Sequence, residues 1–480
     1  MDYDVVIIGC GVVGADCAYE LAKYALRVCV LEASNDVANG TTKANSAIVH
    51  AGYDPLPGTK MARLNLRGTA MMGALCQKLD VPYRRNGSLV ISLSEQDDQH
   101  LRELYARGLE NGVPALALLD RAQSLALEPA LSPAVRGALY APSAGIVNPW
   151  ELCLALAETA VRNGAELRLS APVTAITQTA GGFCLTTPGG RVTARYVVNC
   201  AGVYSDRIAA MIGDRSFHIQ PVKGEYYLLD HSEGGRVEHT IFQCPSKTSK
   251  GVLVTPTVHG NLLVGPNAVP CDPDDTANSA AGMEFVRASA LRAVPGIHFR
   301  DNIRNFAGVR ANSDRGDFIL EESAVAPGFL HAAGIRSPGL SAAPAIGPAI
   351  LELLLRAGLE LREKETIIDS RKRIRFQALS DEEKNALIRR DPRYGRVVCR
   401  CETVTEGEIV ACLHAPIPPG SVNGVKRRVG AGMGRCQGGF CGPRVQEIIA
   451  RELGMDPTGV PMDWAGSWIL CGETKGEAAP

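Results

Sequence analysis

The sequence predicts an α/β protein with a nucleotide-binding domain, an antiparallel sheet and a small, mainly helical C-terminal domain. Three observations support this prediction. A glycine-rich turn lies between a strand and a helix near the N-terminus, strand-like stretches separated by turn clusters occupy the middle, and four cysteines lie close together near the C-terminus. At 480 residues the chain is too long for one core, so two or three domains are expected.

Composition argues against several classes of protein. The 50 basic and 51 acidic residues are nearly balanced, which gives no electrostatic reason to expect nucleic acid. No stretch approaches the roughly 20 apolar residues of a membrane span, so no transmembrane segment is expected, and the acidic Asp2 and Asp4 do not fit a signal peptide. Cysteines in apolar patterns are typical of a reducing compartment. We therefore expect a cytoplasmic protein.

The first elements predict the setting of a dinucleotide site. Residues 4–8 are expected to form a buried parallel strand, residues 12–25 a helix, and residues 27–31 a second strand that ends at Glu32. A strand, a glycine-rich turn, a helix, a strand and an acid in this order are typical of a Rossmann-like domain. Glu32 is placed to accept hydrogen bonds from a ribose hydroxyl.

The turn itself is Gly9-Cys-Gly11-Val-Val-Gly14. Gly9 makes the tight turn, Gly11 lets a pyrophosphate approach the helix N-terminus, and Gly14 allows close packing of helix on strand. A glycine-rich turn without a ligand is the alternative.

Later segments favour FAD over NAD. Residues 196–202 form a hydrophobic strand that ends in a small-residue turn, and residues 329–334 lead through Ser337-Pro-Gly339 to a helix at about 341–355. Only one GxGxxG follows a strand, whereas a reductase that binds both FAD and NAD(P)H ordinarily carries two. We therefore expect one FAD and no nicotinamide site.

The four cysteines lie in Cys399-Arg-Cys401 and Cys436-Gln-Gly-Gly-Phe-Cys441. Pro443 fits the first turn of a helix over 444–453, which would place Cys441 near a helix N-terminus that favours thiolate. The neighbouring glycines, which let the backbone bend around the sulfurs, are Gly438, Gly439 and Gly442.

Three kinds of ligation compete at these cysteines. Zinc generally uses Cys-x2-4-Cys knuckles, and the gaps of one and four residues are not a matched pair of these. A disulfide pair does not fit a chain with no sign of secretion. A [2Fe–2S] cluster also takes four thiolates.

The local sequence resembles the bacterioferritin-associated-ferredoxin type of [2Fe–2S] domain. The resemblance rests on Cys-Arg-Cys-Glu-Thr-Val-Thr-Glu-Gly-Glu-Ile (399–409), Val-Lys-Arg-Arg (425–428) and Gly-Met-Gly-Arg-Cys-Gln-Gly-Gly-Phe-Cys (432–441). It implies a [2Fe–2S] cluster on Cys399, Cys401, Cys436 and Cys441, with zinc as the alternative occupant.

Four segments of the first 360 residues carry a family resemblance: 45–53, 199–206, 221–229 and 263–267. Through them, residues 1–360 resemble a family of FAD-dependent oxidoreductases that includes D-amino-acid oxidase, glycerol-3-phosphate dehydrogenase and L-2-hydroxyglutarate dehydrogenase, most closely the last. With the cysteine domain attached, the whole chain resembles the large subunit of anaerobic glycerol-3-phosphate dehydrogenase. The run Ser337-Pro-Gly-Leu-Ser341 differs from the Gly-Gly-Lys-Leu run typical of glycerol-3-phosphate enzymes.

This organisation predicts a discontinuous FAD domain and a sheet that covers the flavin. The expected bounds are 1–85, 145–215 and 305–360 for the FAD-binding domain, 86–144 and 216–304 for the substrate domain, 361–395 for a charged linker, 396–455 for the [2Fe–2S] domain, and 456–480 for a C-terminal tail. The residues expected to contact FAD are Gly9, Gly11, Gly14, Glu32, Thr41, Asn45, Ser46, Ala201, Gly202, Gly334, Gly339 and Leu340.

Oxidation of an alcohol by flavin moves a hydride from carbon to the flavin while a base removes the hydroxyl proton. His50 is the candidate base, because it follows the loop 40–45, which resembles the segment that runs alongside the isoalloxazine in this family. A structural histidine bonded to the backbone is the alternative. His259, in an expected hairpin, is a weaker candidate for the base.

An anionic substrate needs a fixed positive group. Arg310 lies where related oxidases resemble one another in placing an arginine that binds a carboxylate or phosphate, and its planar fork suits bidentate recognition. An arginine in a surface ion pair is the alternative. The secondary choices are Lys223, Tyr226 and Arg315, and His331 and Arg336 are expected in the cofactor shell.

The leading hypothesis is therefore an FAD-dependent dehydrogenase for a small anionic 2-hydroxy compound, of the glycerol 3-phosphate or L-2-hydroxyglutarate type. Its electrons would pass through the cluster to a second flavoprotein or another redox subunit. An amine or amino-acid dehydrogenase and a non-catalytic electron-transfer subunit are the alternatives. The basic run 426–428 could dock an acidic partner or form a solvated face.

Overall fold

A computed structural model describes residues 1–244, 251–472 and 474, so the ends of the predicted C-terminal tail and part of the predicted substrate domain lie outside the described residues. The chain divides into two units, one of residues 1–33 and 37–371 and one of residues 34–36 and 372–480. The domain bounds expected from the sequence stay a prediction.

Strands of the described residues belong to two large and two small sheets. In chain order they are β1 (Tyr3–Ile8), β2 (Val28–Leu31), β3 (Ile48–Val49), β4 (Tyr83–Arg84), β5 (Ser88–Ser92), β6 (Ala117–Asp120), β7 (Gly137–Ala141), β8 (Gly145–Val147), β9 (Glu166–Arg168), β10 (Ala175–Thr179), β11 (Gly182–Thr187), β12 (Gly190–Asn199), β13 (Ile219–Leu229), β14 (Thr240–Gln243), β15 (Leu253–Pro256), β16 (Leu262–Gly265), β17 (Val269–Pro270), β18 (Asn302–Ser313), β19 (Ile319–Glu322), β20 (Phe329–Ala333), β21 (Val397–Cys399) and β22 (Val404–Thr405).

Helices flank both large sheets and form most of the second unit. The α-helices of the described residues are α1 (Val12–Leu21), α2 (Lys60–Lys78), α3 (Glu95–Glu110), α4 (Arg121–Leu127), α5 (Pro149–Arg162), α6 (Ser205–Ala210), α7 (Ala280–Ala293), α8 (Gly339–Arg356), α9 (Asp381–Arg390), α10 (Glu406–Leu413), α11 (Val422–Val429) and α12 (Gly442–Leu453). The predicted first helix is shorter than expected, because α1 ends at Leu21 and turns follow.

The first sheet contains the predicted Rossmann-like core. Six of its strands lie in the order β10-β11-β12-β1-β2-β9, and β20 joins β12. Within it β20, β12, β1, β2 and β9 run parallel. Their register sets Ile8 beside both Leu31 and Asn199. The carboxyl ends of these strands therefore meet at one edge, where open α/β sheets bind their ligands.

The second sheet corrects one detail of the expected antiparallel sheet. Its strands lie in the order β17-β13-β16-β15-β14-β5-β7-β6, with β18 paired to β13. The pair β14 and β5 is parallel, because these strands come from distant segments and are not joined by a hairpin. The other pairs in this sheet are antiparallel.

Helix α8 is the longest apolar helix near the first sheet. By length and composition it could cross a membrane, but 61% of it is buried inside the protein. It contains Pro344 and Pro348. The N–H of Gly347 donates to the carboxylate of Asp16 in α1 at 2.8 Å. A polar contact of this kind is typical of a helix that packs within a core. The expected lack of a transmembrane segment stays a prediction.

The second unit is small and mainly helical, as predicted. Helices α10, α11 and α12 pack around a core that includes Ile409, Val425 and Ile448, all of them buried. One arginine of the expected charged linker is not exposed, because Arg371 is buried and pairs with Glu158 at 2.7 Å.

Candidate dinucleotide, substrate and cysteine sites

The glycine turn after β1 is shaped by close backbone contacts. A Cβ on Gly9, which has a φ of +97°, would lie 2.7 Å from the carbonyl oxygen of Cys200. A Cβ on Gly14 would lie 2.0 Å from the carbonyl oxygen of Gly9. Both positions therefore require glycine. Gly11 is the N-cap of α1, where a missing Cβ leaves room for a pyrophosphate at the helix N-terminus. The turn fits a dinucleotide.

Glu32 lies at the end of β2, next to this turn. Its carboxylate accepts a hydrogen bond from the N–H of Cys10 at 2.6 Å, which holds the side chain beside the glycines. Its predicted contact with a ribose stays a prediction. Thr42 was not expected in this site, yet its hydroxyl accepts a hydrogen bond from the N–H of Val12 at 3.0 Å.

The segment 41–47 is fixed by its own hydrogen bonds and by β18. The amide of Asn45 donates to the carbonyls of Thr41 and Thr42 and accepts from the N–H of Ala47. The hydroxyl of Thr41 donates to the carbonyl of Val309 in β18 at 2.6 Å. This segment is therefore a rigid support, which is what the predicted flavin contacts of Thr41, Asn45 and Ser46 need.

Two further turns were predicted to contact FAD. Ala201 and Gly202 follow β12, and the N–H of Ala201 donates to the side chain of Asn199. Gly334 follows β20 with a φ of +63°, and Gly339 and Leu340 begin α8. Both turns follow strands of the parallel core, and their contacts with FAD stay a prediction.

His331 lies beneath these turns and is fully buried. Its Nε2 is 3.1 Å from a carboxylate oxygen of Asp214, and its Nδ1 is 3.3 Å from the amide of Asn199. Burial lowers the pKa of His331 below its ordinary value. It therefore supports the turn through Asn199. Arg336 donates to the carbonyl of Gly316.

His50 is held at its backbone and its ring. Its N–H donates to the hydroxyl of Ser341 at 2.7 Å, and its carbonyl accepts from Asn65 and Thr69. Its Nε2 lies 3.2 Å from the hydroxyl of Ser337, and its ring lies 5.7 Å from that of Phe242. The imidazole is half-buried and fixed in position, as a base needs to be. His259 instead contacts Asn148, the N-cap of α5, at 2.9 Å.

Arg310 lies on β18 opposite Val222 of β13. Residues paired across an antiparallel ladder share a face, so Arg310 lies on the face of Gly224 and Tyr226. The guanidinium is half-buried and donates to the carbonyl of Asn267 at 3.4 and 3.5 Å. None of the carboxylates in the part of the chain described here forms an ion pair with Arg310, so the surface ion pair is not supported.

Tyr226 belongs to the same face and connects it to the segment before His50. Its hydroxyl lies 3.2 Å from that of Ser46, and its ring stacks on Phe306 with centroids 4.8 Å apart. The segment 41–50 thus contacts the β13–β18 pair through Ser46 and Tyr226 and through Thr41 and Val309. Arg310 on this pair suits binding of a small anion, and His50 at the end of the segment suits removal of a proton.

Two secondary choices point elsewhere. Lys223 alternates with Tyr226 along β13 and lies on the opposite face, where it pairs with Asp275 at 2.7 Å. Arg315 forms an exposed ion pair with Glu321. The structure therefore gives no support to either as a substrate contact beside Arg310.

The four cysteines come together in the second unit. Cys399 and Cys441 are buried, with 1% and 2% of their surface exposed, whereas Cys401 and Cys436 are exposed. The sulfurs of Cys401 and Cys436 lie 3.8 Å apart. Both predicted pairs therefore meet at one site, which has a buried side and an exposed side.

Backbone N–H groups surround these sulfurs. A hydrogen bond from Cys441, together with the N–H groups of Gly432, Glu402 and Cys401, lowers the pKa of Cys399, and the same bond raises the pKa of the donating Cys441 thiol. The N–H of Phe440 lowers the pKa of Cys436. At Cys399 and Cys436 these donors favour thiolate, the form that binds iron. The site fits a [2Fe–2S] cluster on Cys399, Cys401, Cys436 and Cys441.

Glycine is required beside the cysteines at a position that was not predicted. A Cβ on Gly434 would lie 2.3 Å from the Cβ of Cys401, whereas a Cβ on Gly442 would meet nothing within 4 Å. Gly438 has a φ of +91°, so its predicted role in bending the backbone fits its conformation.

The basic run 426–428 is not a docking surface. Arg428 is buried and pairs with Asp36 at 2.8 Å, and Arg427 pairs with Asp463 at 3.0 Å. Lys426 is buried and donates to Gln437. The spacing of this run on α11 could not show that the segment 34–36, far away in the sequence, supplies its counter-charge.

Comparison with known proteins agrees with both sites. A family model described as FAD dependent oxidoreductase matches residues 4–353, and one described as BFD-like [2Fe-2S] binding domain matches residues 397–451. A glycerol 3-phosphate dehydrogenase from Caloramator mitchellensis is 48% identical over 477 residues, which cover 99% of each chain.

Two further similarities each cover about three quarters of the chain. The mitochondrial L-2-hydroxyglutarate dehydrogenase of Homo sapiens is 29% identical over 411 residues, covering 73% of this chain and 88% of that protein. The structure of dithionite-reduced L-alpha-glycerophosphate oxidase from Mycoplasma pneumoniae with FAD bound matches with a TM-score of 0.73 and 27% identity, over 78% of this chain and 98% of that one. The predicted cofactors, FAD and a [2Fe–2S] cluster, are confirmed.

Proposed function

The chain belongs to the FAD-dependent oxidoreductase family, and we propose that it is a dehydrogenase whose substrate is glycerol 3-phosphate. The observation that carries the proposal is the half-buried guanidinium of Arg310, which has no carboxylate partner among the described residues and shares a face with Tyr226. A planar cation in such a position suits a phosphate or carboxylate. The similarity to a glycerol 3-phosphate dehydrogenase over the whole chain favours phosphate.

In this proposal Arg310 binds the phosphate and orients the substrate. His50 accepts the proton of the reacting hydroxyl on its imidazole, which Ser337 and Ser341 hold in place. Tyr226, fixed by Ser46 and Phe306, limits the positions that the substrate can take. FAD, when bound, accepts the hydride.

The run 337–341, which differs from the run typical of glycerol-3-phosphate enzymes, lies next to the candidate base His50 and not next to the anion site at Arg310. Its two serines contact His50, whereas Arg310 contacts Asn267. A difference from the Gly-Gly-Lys-Leu run therefore changes the surroundings of the proton acceptor and leaves the phosphate contact intact. For this reason we keep glycerol 3-phosphate ahead of L-2-hydroxyglutarate.

Anaerobic flavin bleaching tests this function. Glycerol 3-phosphate should bleach the flavin of the purified protein, whereas L-2-hydroxyglutarate, secondary amines and amino acids should not. His50→Gln should slow bleaching by about 10² to 10⁴-fold at saturating substrate, since general base catalysis contributes factors of this size. Bleaching by amines alone would favour an amine dehydrogenase, and bleaching by no small substrate would favour a non-catalytic electron-transfer subunit.

The cysteine site would pass electrons to a partner in the cytoplasm, a second flavoprotein or another redox subunit. The exposed side of the site supports this, because Cys401 and Cys436 lie there with exposed Arg400 and Arg435 next to them in the chain. The guanidinium of Arg400 lies 4.9 Å from the ring of Phe440, which is 63% exposed. A partner that fits this side would be acidic.

Electron transfer to a small anionic acceptor separates this role from substrate oxidation. Cys436→Ser should leave flavin bleaching unchanged and slow electron transfer to ferricyanide. The double variant Arg400→Glu, Arg435→Glu should slow the same transfer at low salt and less at high salt, because salt screens surface charges. Loss of bleaching in a folded, FAD-loaded Cys436→Ser protein would contradict the proposed role.

A further inference from the structure

A buried carboxylate lies behind Arg310, on the opposite face of β13. Glu225 is fully buried and pairs with Ala307 in the β13–β18 ladder. Its two oxygens accept hydrogen bonds from the backbone N–H and the hydroxyl of Ser279 and from the amide of Asn267. Ser279 is the N-cap of α7, so the carboxylate faces the positive end of that helix.

The space for this carboxylate depends on α7. A Cβ on Gly282 would lie 1.7 Å from a carboxylate oxygen of Glu225, so a larger residue would displace it. Glu225 forms no ion pair with the lysines and arginines that the structure describes. A buried carboxylate is costly unless it is hydrogen-bonded, so its contacts with Ser279 and Asn267 must hold it in place.

Asn267 connects Glu225 to Arg310. The N–H of Glu225 donates to the side-chain oxygen of Asn267 at 2.9 Å, while the amide of Asn267 donates back to the carboxylate. These reciprocal bonds fix Asn267, whose own carbonyl accepts from both terminal nitrogens of Arg310. Arg310 also passes over Gly224, where a Cβ would lie 2.5 Å from its guanidinium.

We propose that Glu225 is a positioning residue, which through Asn267 fixes the guanidinium of Arg310 in the orientation that receives the anionic group of the substrate. This inference rests on the proposed function, because it requires Arg310 to bind that group. A carboxylate is needed because three donors converge on its two oxygens. Glutamine has nearly the same shape but would turn an NH₂ group toward at least one of these donors.

A double-mutant cycle tests the inference on the FAD-loaded protein. The measurement is the affinity for dihydroxyacetone phosphate, the ketone that oxidation of glycerol 3-phosphate would form, by titration calorimetry without turnover. Glu225→Gln should weaken binding about tenfold, in the range expected when buried donors lose their acceptor. In an Arg310→Ala background the same substitution should have almost no further effect, since residues that act through one another are not additive.

Steady-state kinetics supply a second measurement, whose result would not change if Glu225 had a merely structural role. Glu225→Gln should raise KM for glycerol 3-phosphate by a factor similar to the loss in affinity and change the rate of bleaching at saturation much less. Asp275→Asn is the matched control, because it breaks a polar contact on the same face of the sheet, with Lys223, and should leave both values near those of the parent protein.

Three outcomes would overturn the inference. They are unchanged affinity in Glu225→Gln, full additivity with Arg310→Ala, or a fall in bleaching rate with KM unchanged. If Arg310→Ala itself binds the ketone normally, the proposed anion site fails, and this inference fails with it. Should Glu225→Gln not fold, Asn267→Ala removes the same link while keeping the carbonyl, and it should show the same loss and the same lack of additivity.

Discussion

The two cofactor sites of this chain are built in opposite ways. At the dinucleotide turn, Gly9 and Gly14 act through the absence of side chains, because a Cβ would collide with backbone atoms at either position. At the cysteine site, four side chains would supply the ligand atoms of the proposed cluster, and two of them are exposed. The first site is therefore sensitive to an added methyl group, whereas the second is sensitive to the removal of a sulfur.

The difference also explains how each site is supported. The glycine turn follows a strand of a parallel sheet, whose register fixes the backbone on both sides. The cysteines lie on short connections of a small unit, where backbone N–H groups and glycines shape the surroundings of the sulfurs. A sheet edge can position backbone atoms by itself, while a small helical unit needs ligand side chains from two separate segments.

The largest effect is expected at Gly14. In Gly14→Ala the new Cβ would lie 2.0 Å from the carbonyl oxygen of Gly9, so α1 must move away from the turn. We expect loss of FAD and a decrease in the free energy of unfolding of about 3 kcal/mol, typical of a badly overpacked site. Flavin content and urea unfolding measure both effects.

Gly235→Ala is the control for that experiment. A Cβ there would meet no atom within 4 Å, and its φ is not in the left-handed region. Flavin content should stay unchanged. Retention of FAD at parent affinity in Gly14→Ala would show that the turn does not depend on close packing.

The next effect separates the buried and exposed cysteines. Cys399→Ser and Cys401→Ser should both lose iron, but only Cys399→Ser should lower the free energy of unfolding of the second unit, by about 1 to 3 kcal/mol, because it buries a hydroxyl group. Iron analysis and urea unfolding of the cluster-free proteins measure the two effects.

A cysteine outside the site provides the control. Cys412→Ser also introduces a hydroxyl into the core of the second unit and should keep its iron, since Cys412 is not one of the four expected ligands and donates to the carbonyl of Ile409. Equal stability of Cys399→Ser and Cys401→Ser would contradict the difference between the two sides of the site.

The sequence alone predicted those elements and sites that depend on a local pattern of residues. The turn at Gly9, the strand ending at Glu32, and the close spacing of Cys399 with Cys401 and of Cys436 with Cys441 are all local patterns, and the structure contains each of them. Sequence also predicted that α12 would begin near Cys441. These features are set by neighbours along the chain, so a single sequence shows them.

Features that depend on contacts between distant segments could not be predicted from the sequence. The sequence around 426–428 does not indicate that Asp36 forms an ion pair with Arg428. The sequence around Lys223 likewise does not show that Lys223 and Arg310 lie on opposite faces, because this depends on the β13–β18 register. Glu225 and Asn267 lie within the segments 221–229 and 263–267 that carry the family resemblance, but their roles could not be predicted, because their reciprocal hydrogen bonds join residues 42 positions apart. Register and long-range pairing decide such roles.

The smallest effect on stability is expected at Asp16. This buried side chain belongs to the first unit, in which the dinucleotide turn depends on backbone atoms. Burial raises the pKa of Asp16 well above its ordinary value, while its carboxylate accepts from the N–H of Gly347. In the unfolded chain this carboxyl loses its proton above a pH of about 4. Between the ordinary and the raised pKa the folded chain therefore holds a proton that the unfolded chain has lost, and the free energy of unfolding falls as pH rises through this range.

Asp16→Asn removes this dependence and keeps an acceptor for Gly347. We expect the stability of Asp16→Asn relative to the parent to increase as pH rises from about 4 to 8, because only the parent loses stability as pH rises through the raised pKa. Urea unfolding at four pH values measures the difference, with Asp16→Ala as the control that loses the hydrogen bond at every pH. If the free energies of unfolding of Asp16→Asn and the parent changed with pH in the same way, Asp16 would be ionised in the folded protein. A charged side chain would then stabilise α1, next to a turn that depends on backbone atoms.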